Sequence, residues 1–149
     1  MTKSYRYAIV YFLLFSFILL ASASALFEIK IGFSPLGIME YYNGNEEKFI
    51  PAKSFSGILK TALSHIFVFG LFIMVLLHFI VFTGYKNRAQ TRWIIYLTFS
   101  TALIELSCAF FILSGYIFFA YLKVLSFVLF EFLILYIIWL LLMSIFYKR

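Results

Sequence analysis

Long apolar runs separated by short polar stretches dominate the hydrophobicity pattern of the chain. Four runs are long enough to cross a bilayer, which takes about 20 apolar residues in a helix, and they cover about residues 7–27, 61–83, 93–114 and 124–146. Because lipid offers the backbone no hydrogen-bonding partners, such runs must be helical. The pattern predicts an all-α integral membrane fold, in which residues 1–149 form a single four-transmembrane-helix bundle.

Two stretches of this pattern allow a second interpretation. The first run has a basic start and ends in the small residues Ala23 and Ala25, which is also the layout of a signal peptide. Its apolar character continues to Phe27, which favours a retained span, and cleavage of residues 1–25 stays the alternative. Before the last run, residues 115–123 are expected to form a turn and an interfacial segment that carries Lys123.

The long loop at residues 28–56 contains two local patterns. Residues 27–33, FEIKIGF, alternate between apolar and charged positions and predict a short extended segment. Ser34, Pro35 and Gly44 are then placed to begin and end a short amphipathic helix. Its apolar side chains are Ile38, Met39, Tyr41 and Tyr42. We expect them to anchor the helix on the membrane surface, and the alternative is a cap over a site between the spans.

The charges indicate how the spans are oriented. The segments before the first run, between the second and third runs, and after the fourth run carry basic residues and no acidic ones, whereas the long loop is net acidic. The positive-inside rule predicts cytoplasmic N- and C-termini and an outer loop at residues 28–56, in a bacterial inner membrane. Because the basic residues lie at the ends of apolar runs, the net charge of +6 does not indicate nucleic acid.

Composition removes several enzyme classes. The chain is 65% hydrophobic and contains 21 phenylalanines, so its solvent is lipid. The single cysteine, Cys108, excludes an internal disulfide, a CxxC redox pair and a cysteine zinc site. There is no glycine-rich phosphate loop, no HExxH and no Ser/His/Asp set. Whether the protein is an enzyme stays open at this point.

Ionisable and polar residues within the spans are the candidates for function, because their burial in lipid is costly. The third run carries a polar stripe spaced three, four and three residues apart, which places it on one helix face. The stripe consists of Thr98, Thr101, Glu105 and Cys108. We expect Glu105 to face the interior and to lie near Glu131 or His65. Glu105, Glu131, Cys108 and Thr101 would then form a proton relay or polar cluster, and plain interhelical hydrogen bonding is the alternative.

His65 and His78 are the two histidines of the chain, and both lie in the second apolar run. Neutral imidazole in a membrane is often an iron ligand, so both are candidates for binding b-type haem, with His65 the favoured metal ligand. Their side chains point about 140° apart and do not share a face. Met74, Met143 or a second copy of the chain could supply another axial ligand. The alternative is a plain hydrogen-bonding role, and the cofactor is otherwise unknown.

Residues 34–80 resemble a group of small bacterial four-span membrane proteins. The motifs that carry the resemblance are Pro35-x-Gly37, Tyr41-Tyr42-x-Gly44 and Ser54-Phe55. It implies a four-span fold and a His-x-His pair followed by a later histidine. His65 matches the second histidine of the pair and His78 the later one, whereas Leu63 stands at the first position.

Three functional hypotheses follow. The first is a membrane redox component that binds b-type haem or a quinone near the outer leaflet, with His65 and Glu105 or Glu131 at its centre. The second is a non-enzymatic accessory or assembly subunit of a larger membrane complex. The third is a small oligomeric transporter. The expected partners are the lipid bilayer and either further copies of the chain or the subunits of a membrane complex.

Overall fold

The computed structural model describes residues 3–83, 85 and 89–146, and in this part of the chain it contains five helices and no β-strand. The helices are α1 (Lys3–Lys30), α2 (Pro35–Asn43), α3 (Phe55–Ile80), α4 (Ala89–Ile112) and α5 (Ile117–Phe146). All except α2 are long and apolar enough to cross a membrane. The predicted four-span bundle with a short helix in its first loop is therefore confirmed. The basic residues at 86, 88, 148 and 149, which contributed to the predicted orientation, lie outside the described residues.

The first helix continues through the segment that we expected to be extended. The amides of Ile31 and Gly32 donate to the carbonyl of Phe27 at 2.9 and 2.8 Å, and Gly32 ends the turn with φ = +78°. Phe27 is buried and Ile31 packs against the same cluster. A spacing of four residues puts both side chains on one helix face, so the apolar pattern of this segment fits a helix, and the extended prediction is wrong for residues 27–30.

Capping residues define α2 as the sequence predicts. The Ser34 hydroxyl accepts a hydrogen bond from the Gly37 amide, and Gly44, with φ = +81°, donates its amide to the Glu40 carbonyl at 2.9 Å. The expected anchoring on the membrane surface is wrong, however. Ile38 is 0% and Tyr42 8% exposed, because both side chains pack into the bundle. The helix is therefore a cap on the bundle, which was the alternative interpretation.

The buried apolar side chains form two clusters along the bundle. The first, which we call the α2-side core, contains Phe27, Ile38, Tyr42, Ile58, Cys108, Ala109, Ile112 and Ala120. The second, the distal core, joins α1, α3, α4 and α5 around residues that include Leu13, Ile73, Leu76, Ile134, Ile137 and Leu141. The α2-side core includes the helix α2, and the candidate site lies beside it.

The turn between α4 and α5 is short. Gly115, with φ = +86°, donates its amide to the Ile112 carbonyl at 2.9 Å, and α5 begins at Ile117. Residues 117–123, which we expected as an interfacial segment ahead of the last span, are therefore continuous with α5. Lys123 therefore lies inside the bundle as part of α5, where a partner for its charge is present.

Candidate functional site

A buried ion pair joins α4 to α5 beside the α2-side core. The ammonium group of Lys123 donates to the Oε1 atom of Glu105 and also, at 3.1 Å, to the Glu105 backbone carbonyl. Lys123 is 3% exposed, and the Glu105 side chain is 13% exposed. Two opposite charges at this burial are stable only together, because either one alone would remain uncompensated in an apolar surrounding.

The short helix α2 covers this ion pair. The Nζ atom of Lys123 lies 5.8 Å from the centre of the Tyr42 ring, which is within the range of a cation–π contact. Burial raises the pKa of the Tyr42 phenol, and the positive charge of Lys123 partly opposes the shift. The end of α2 is fixed by Asn43, whose amide donates to the Ile112 carbonyl at 3.0 Å. The Ile112 carbonyl thus accepts from two donors, the Asn43 side chain and the Gly115 amide, at the C-terminus of α4.

The polar stripe of α4 faces the interior as predicted. Thr98, Thr101 and Cys108 are 0%, 5% and 1% exposed. The threonine hydroxyls donate within α4, to the Ile94 carbonyl at 2.7 Å and to the Leu97 carbonyl at 2.8 Å. These hydroxyls therefore do not make the interhelical hydrogen bonds of the alternative interpretation. Cys108 lies one helical turn from Glu105 and is buried beside the ion pair.

Glu131 lies apart from the ion pair. It is eight positions beyond Lys123 on α5, which corresponds to about 12 Å along the helix. Its carboxyl group is partly buried in a cleft that also includes Ser24 of α1. Among the described residues Glu105 pairs with Lys123, and the expected contact with Glu131 or His65 is not found.

Both histidines lie on the outside of the bundle. The Nδ1 atom of His65 is 2.7 Å from the Thr61 carbonyl. A carbonyl can only accept, so Nδ1 is the donor, and in the neutral imidazole Nε2 is then an acceptor. His78 is exposed and its ring contacts Phe82 edge-on, with 5.5 Å between the ring centres. Within the described residues, no group of three or more His, Cys, Asp or Glu side chains could hold a metal ion.

Sequence reasoning assigned no site role to Lys123, although the sequence contains an indication of it. Glu105 and Lys123 each lie nine positions from Ser114, in the turn between two antiparallel helices. Residues at equal distances from the turn of a helical hairpin lie at the same depth. A glutamate and a lysine in this relation are therefore candidates for an ion pair.

The four apolar helices and the buried ion pair between two of them define a multi-pass helical membrane protein. A family model described as a transmembrane helical domain matches residues 32–149. The chain belongs to this family, Aq_1264_TM. The match includes α2 to α5 and begins after the end of α1. No curated protein and no solved structure matches the chain.

Proposed function

We propose that the protein is a non-enzymatic subunit of a larger membrane assembly and that it docks through the polar face of α3. We define this face by four exposed residues, Lys60, Thr61, Ser64 and His65. The observation that carries the proposal is that these four polar side chains are adjacent and exposed on a predominantly apolar helix. Polar side chains in a span normally face the bundle interior, since contact with lipid is costly.

The hydrogen bonds of this face show what a partner would have to supply. The hydroxyls of Thr61 and Ser64 donate to carbonyls one turn earlier in α3, at 3.1 and 3.2 Å. His65 likewise donates through Nδ1 to its own helix. The hydroxyl donors and the Nδ1 donor of His65 are thus satisfied within α3, while in the neutral imidazole the Nε2 atom of His65 is an acceptor. In hydrocarbon an unmatched acceptor is unfavourable, so a donor from another helix would stabilise the association.

Charge indicates the chemistry of the partner. The polar face contains Lys60, and α3 contains no acidic residue. Two copies of α3 packed side by side would bring their lysines together, which is unfavourable. A helix of a different chain with a carboxyl group fits better. Such a group could pair with Lys60, or donate its proton to the Nε2 atom of His65.

Site-specific photocrosslinking in native membranes tests this docking surface. Val68 follows His65 by three positions on the exposed side of α3, whereas Tyr121 is exposed on α5 and gives a matched control. We expect benzoylphenylalanine at Val68 to capture one partner, whose crosslinked peptide is an apolar segment containing Asp or Glu. The adduct should be lost in Lys60→Leu/His65→Leu and absent with the probe at Tyr121. An adduct with a second copy, equal adducts at both positions, or no protein adduct would contradict the proposal.

A second candidate function is the binding of b-type haem at the same face. Metal-ligating histidines usually donate their other ring nitrogen to a carbonyl or carboxylate, as His65 does to Thr61. Lys60 is exposed five positions earlier, about one and a half turns away, and could pair with a haem propionate. Because His65 lies outside the bundle, the haem would be shared with another chain or copy.

An absorption spectrum of the purified protein tests the haem candidate. After expression with ample haem, we expect a reduced-minus-oxidised signal that is lost in His65→Ala and kept in His78→Ala. His78 is a suitable control because it is exposed on the same helix. The absence of a signal, or its loss in both variants alike, would contradict haem binding at His65. Docking would then be the remaining proposed function.

We also propose that α1 is retained and that both termini are cytoplasmic in a bacterial inner membrane. Leu13 and Ser16 of α1 are each 2% exposed, which supports a packed span rather than a removed leader. An intact mass that includes residues 1–25 is expected for the purified protein. A reporter fused after Arg149 should be active in the cytoplasm, and activity restricted to the periplasm would contradict this orientation.

A further inference from the structure

A cleft between α1 and α5 contains an ionisable side chain that the docking proposal does not use. Its volume is about 200 Å³. Ser24 of α1 lies on one side, Phe33 at one end, and Phe127, Val128 and Glu131 of α5 on the other side. Of the described residues that line it, Ser24 and Glu131 are the polar ones, and the Ser24 hydroxyl lies close to the Glu131 carboxyl.

Aromatic rings form a firm wall at one end of the cleft. Phe127 stacks on Phe27 with 4.1 Å between ring centres and an interplanar angle of 12°. Phe33 packs against both, at 5.2 Å from Phe27 and 6.2 Å from Phe127. Because Phe27 is buried in the α2-side core, this wall is held by the bundle. A flat ring placed in the cleft would meet aromatic faces and edges, which favour stacked or edge-on contacts.

The position of Glu131 along α5 limits which molecules can reach it. It is the fifteenth of the 30 residues of this helix, about 21 Å from Ile117. That is mid-length in a helix that spans the bilayer, so the carboxyl lies at the depth of the acyl chains. Phospholipid headgroups lie at the membrane surface, about 15 Å from the midplane of a hydrocarbon core about 30 Å thick. A ligand that dissolves in the hydrocarbon is therefore required.

The volume of the cleft and its two polar side chains, Ser24 and Glu131, narrow the class of ligand further. An apolar protein cavity of about 150 Å³ holds one benzene molecule. The cleft is somewhat larger, so it fits a single six-membered ring with small substituents. Glu131 and Ser24 can together accept a hydrogen bond from a ring hydroxyl or donate one to a ring carbonyl. A lipophilic ring that carries such oxygens is the ligand class that matches these walls.

We propose that this cleft binds the headgroup of a lipophilic quinone or its hydroquinone, with a ring oxygen hydrogen-bonded to Glu131 and Ser24. The ring packs against Phe127 and Phe33, and the tail leaves through the open side of the cleft into the lipid. The site uses α1 and α5, whereas docking uses α3, so the two proposals are independent. Because the docking surface is not involved, binding can be measured on the isolated full-length protein.

The test is a titration of the protein in lipid nanodiscs with decylubiquinone and with its quinol, followed by quenching of tryptophan fluorescence. Val128→Phe adds bulk inside the cleft, and Leu125→Phe adds similar bulk at a position of the same helix that is 63% exposed. Glu131→Leu removes the carboxyl group, and Glu131→Gln keeps a hydrogen-bonding side chain. Protection of the Cys108 thiol from labelling shows that each variant is folded.

We expect saturable binding of at least one of the two probes to the unmodified protein. Val128→Phe and Glu131→Leu should each weaken it at least tenfold, Glu131→Gln should weaken it less, and Leu125→Phe should leave it unchanged. Quenching that never saturates, or an equal affinity in all folded variants, would show simple partitioning into the lipid and would overturn the proposal. Neither result would bear on the crosslinking test of the α3 surface.

Discussion

Breaking the Glu105–Lys123 ion pair from one side should destabilise the bundle far more than removing both charges. Glu105→Leu leaves the ammonium group, which is 3% exposed, with the backbone carbonyl of residue 105 and the Tyr42 ring but no negative charge beside it. Lys123→Met leaves a carboxylate whose side chain is 13% exposed. Glu105→Leu/Lys123→Met leaves an apolar contact between α4 and α5 at the same place.

The single variants are expected to lower the free energy of unfolding, whereas the double variant is expected to leave it unchanged or raise it. Removing one member of a buried ion pair costs about 3–5 kcal/mol, whereas replacing both members by apolar side chains is about neutral or stabilising. At about 2–4 °C per kcal/mol for a chain of this size, each single variant should lower the unfolding midpoint by roughly 10 °C. The double variant should unfold at or above the midpoint of the unmodified protein, which gives a large coupling energy between the two positions.

Cys108 provides the assay. It is the single cysteine of the chain, is 1% exposed, and lies one turn from Glu105. A thiol-reactive fluorophore should therefore label the protein only as the α2-side core opens, and the temperature of half-maximal labelling gives the midpoint.

An exposed ion pair supplies the control for this assay. Lys48 pairs with Glu40 at 2.7 Å, and its side chain is 59% exposed. Lys48→Met should leave the midpoint unchanged, because exposed ion pairs contribute little to stability. If Glu105→Leu and Lys123→Met were as mild as this control, or if the double variant were the least stable of the set, the structural account of the ion pair would be refuted.

Three further predictions concern α2 and the loop after it. Asn43→Ala removes the hydrogen bond to the end of α4 and should cost about 1 kcal/mol in the same assay. Gly44→Ala should make the loop sensitive to protease, because the glycine has φ = +81° and an added Cβ would lie 2.7 Å from a backbone nitrogen, whereas Gly37→Ala, with its nearest contact at 3.5 Å, should not. The hydrogen bond from Lys48 lowers the pKa of Glu40 below its ordinary value of 4.5. Its stabilisation of the loop is therefore present above that value and is lost as the pH falls through the lowered pKa. In a carboxyl NMR titration, Lys48→Met should raise the pKa of Glu40.

The spans and the ends of α2 could be predicted because their causes are local. Twenty apolar residues in lipid have no alternative to a helix, and Ser34 and Gly44 act on backbone atoms within a few positions of themselves. Whether α2 lies on the membrane or on the bundle could not be predicted from its apolar side chains, since both surfaces are apolar. The structure places Ile38 and Tyr42 in the bundle because they complete the α2-side core.

The candidate site was only partly predictable, for a different reason. The stripe spacing on α4 correctly predicts that Glu105 faces inward, but its partner depends on the register between two helices. Taken alone, Lys123 is typical of a membrane interface, and only its position opposite Glu105 across the turn indicates an ion pair. The direction of His65 depends on which face of α3 packs on the bundle. That face is formed by residues such as Ala62 and Ile73, and it leaves His65 outside.

The most direct test of the proposed function is the size of the assembly that the protein forms in its native membrane. After mild solubilisation and native electrophoresis, the account predicts a discrete species much larger than the 17.5 kDa chain with its detergent. Lys60→Leu/His65→Leu should shift the chain to the position of the free subunit, whereas Tyr121→Leu should leave the large species unchanged. Migration of the unmodified protein as a free subunit, or an equally large species in the double variant, would contradict docking through the polar face of α3.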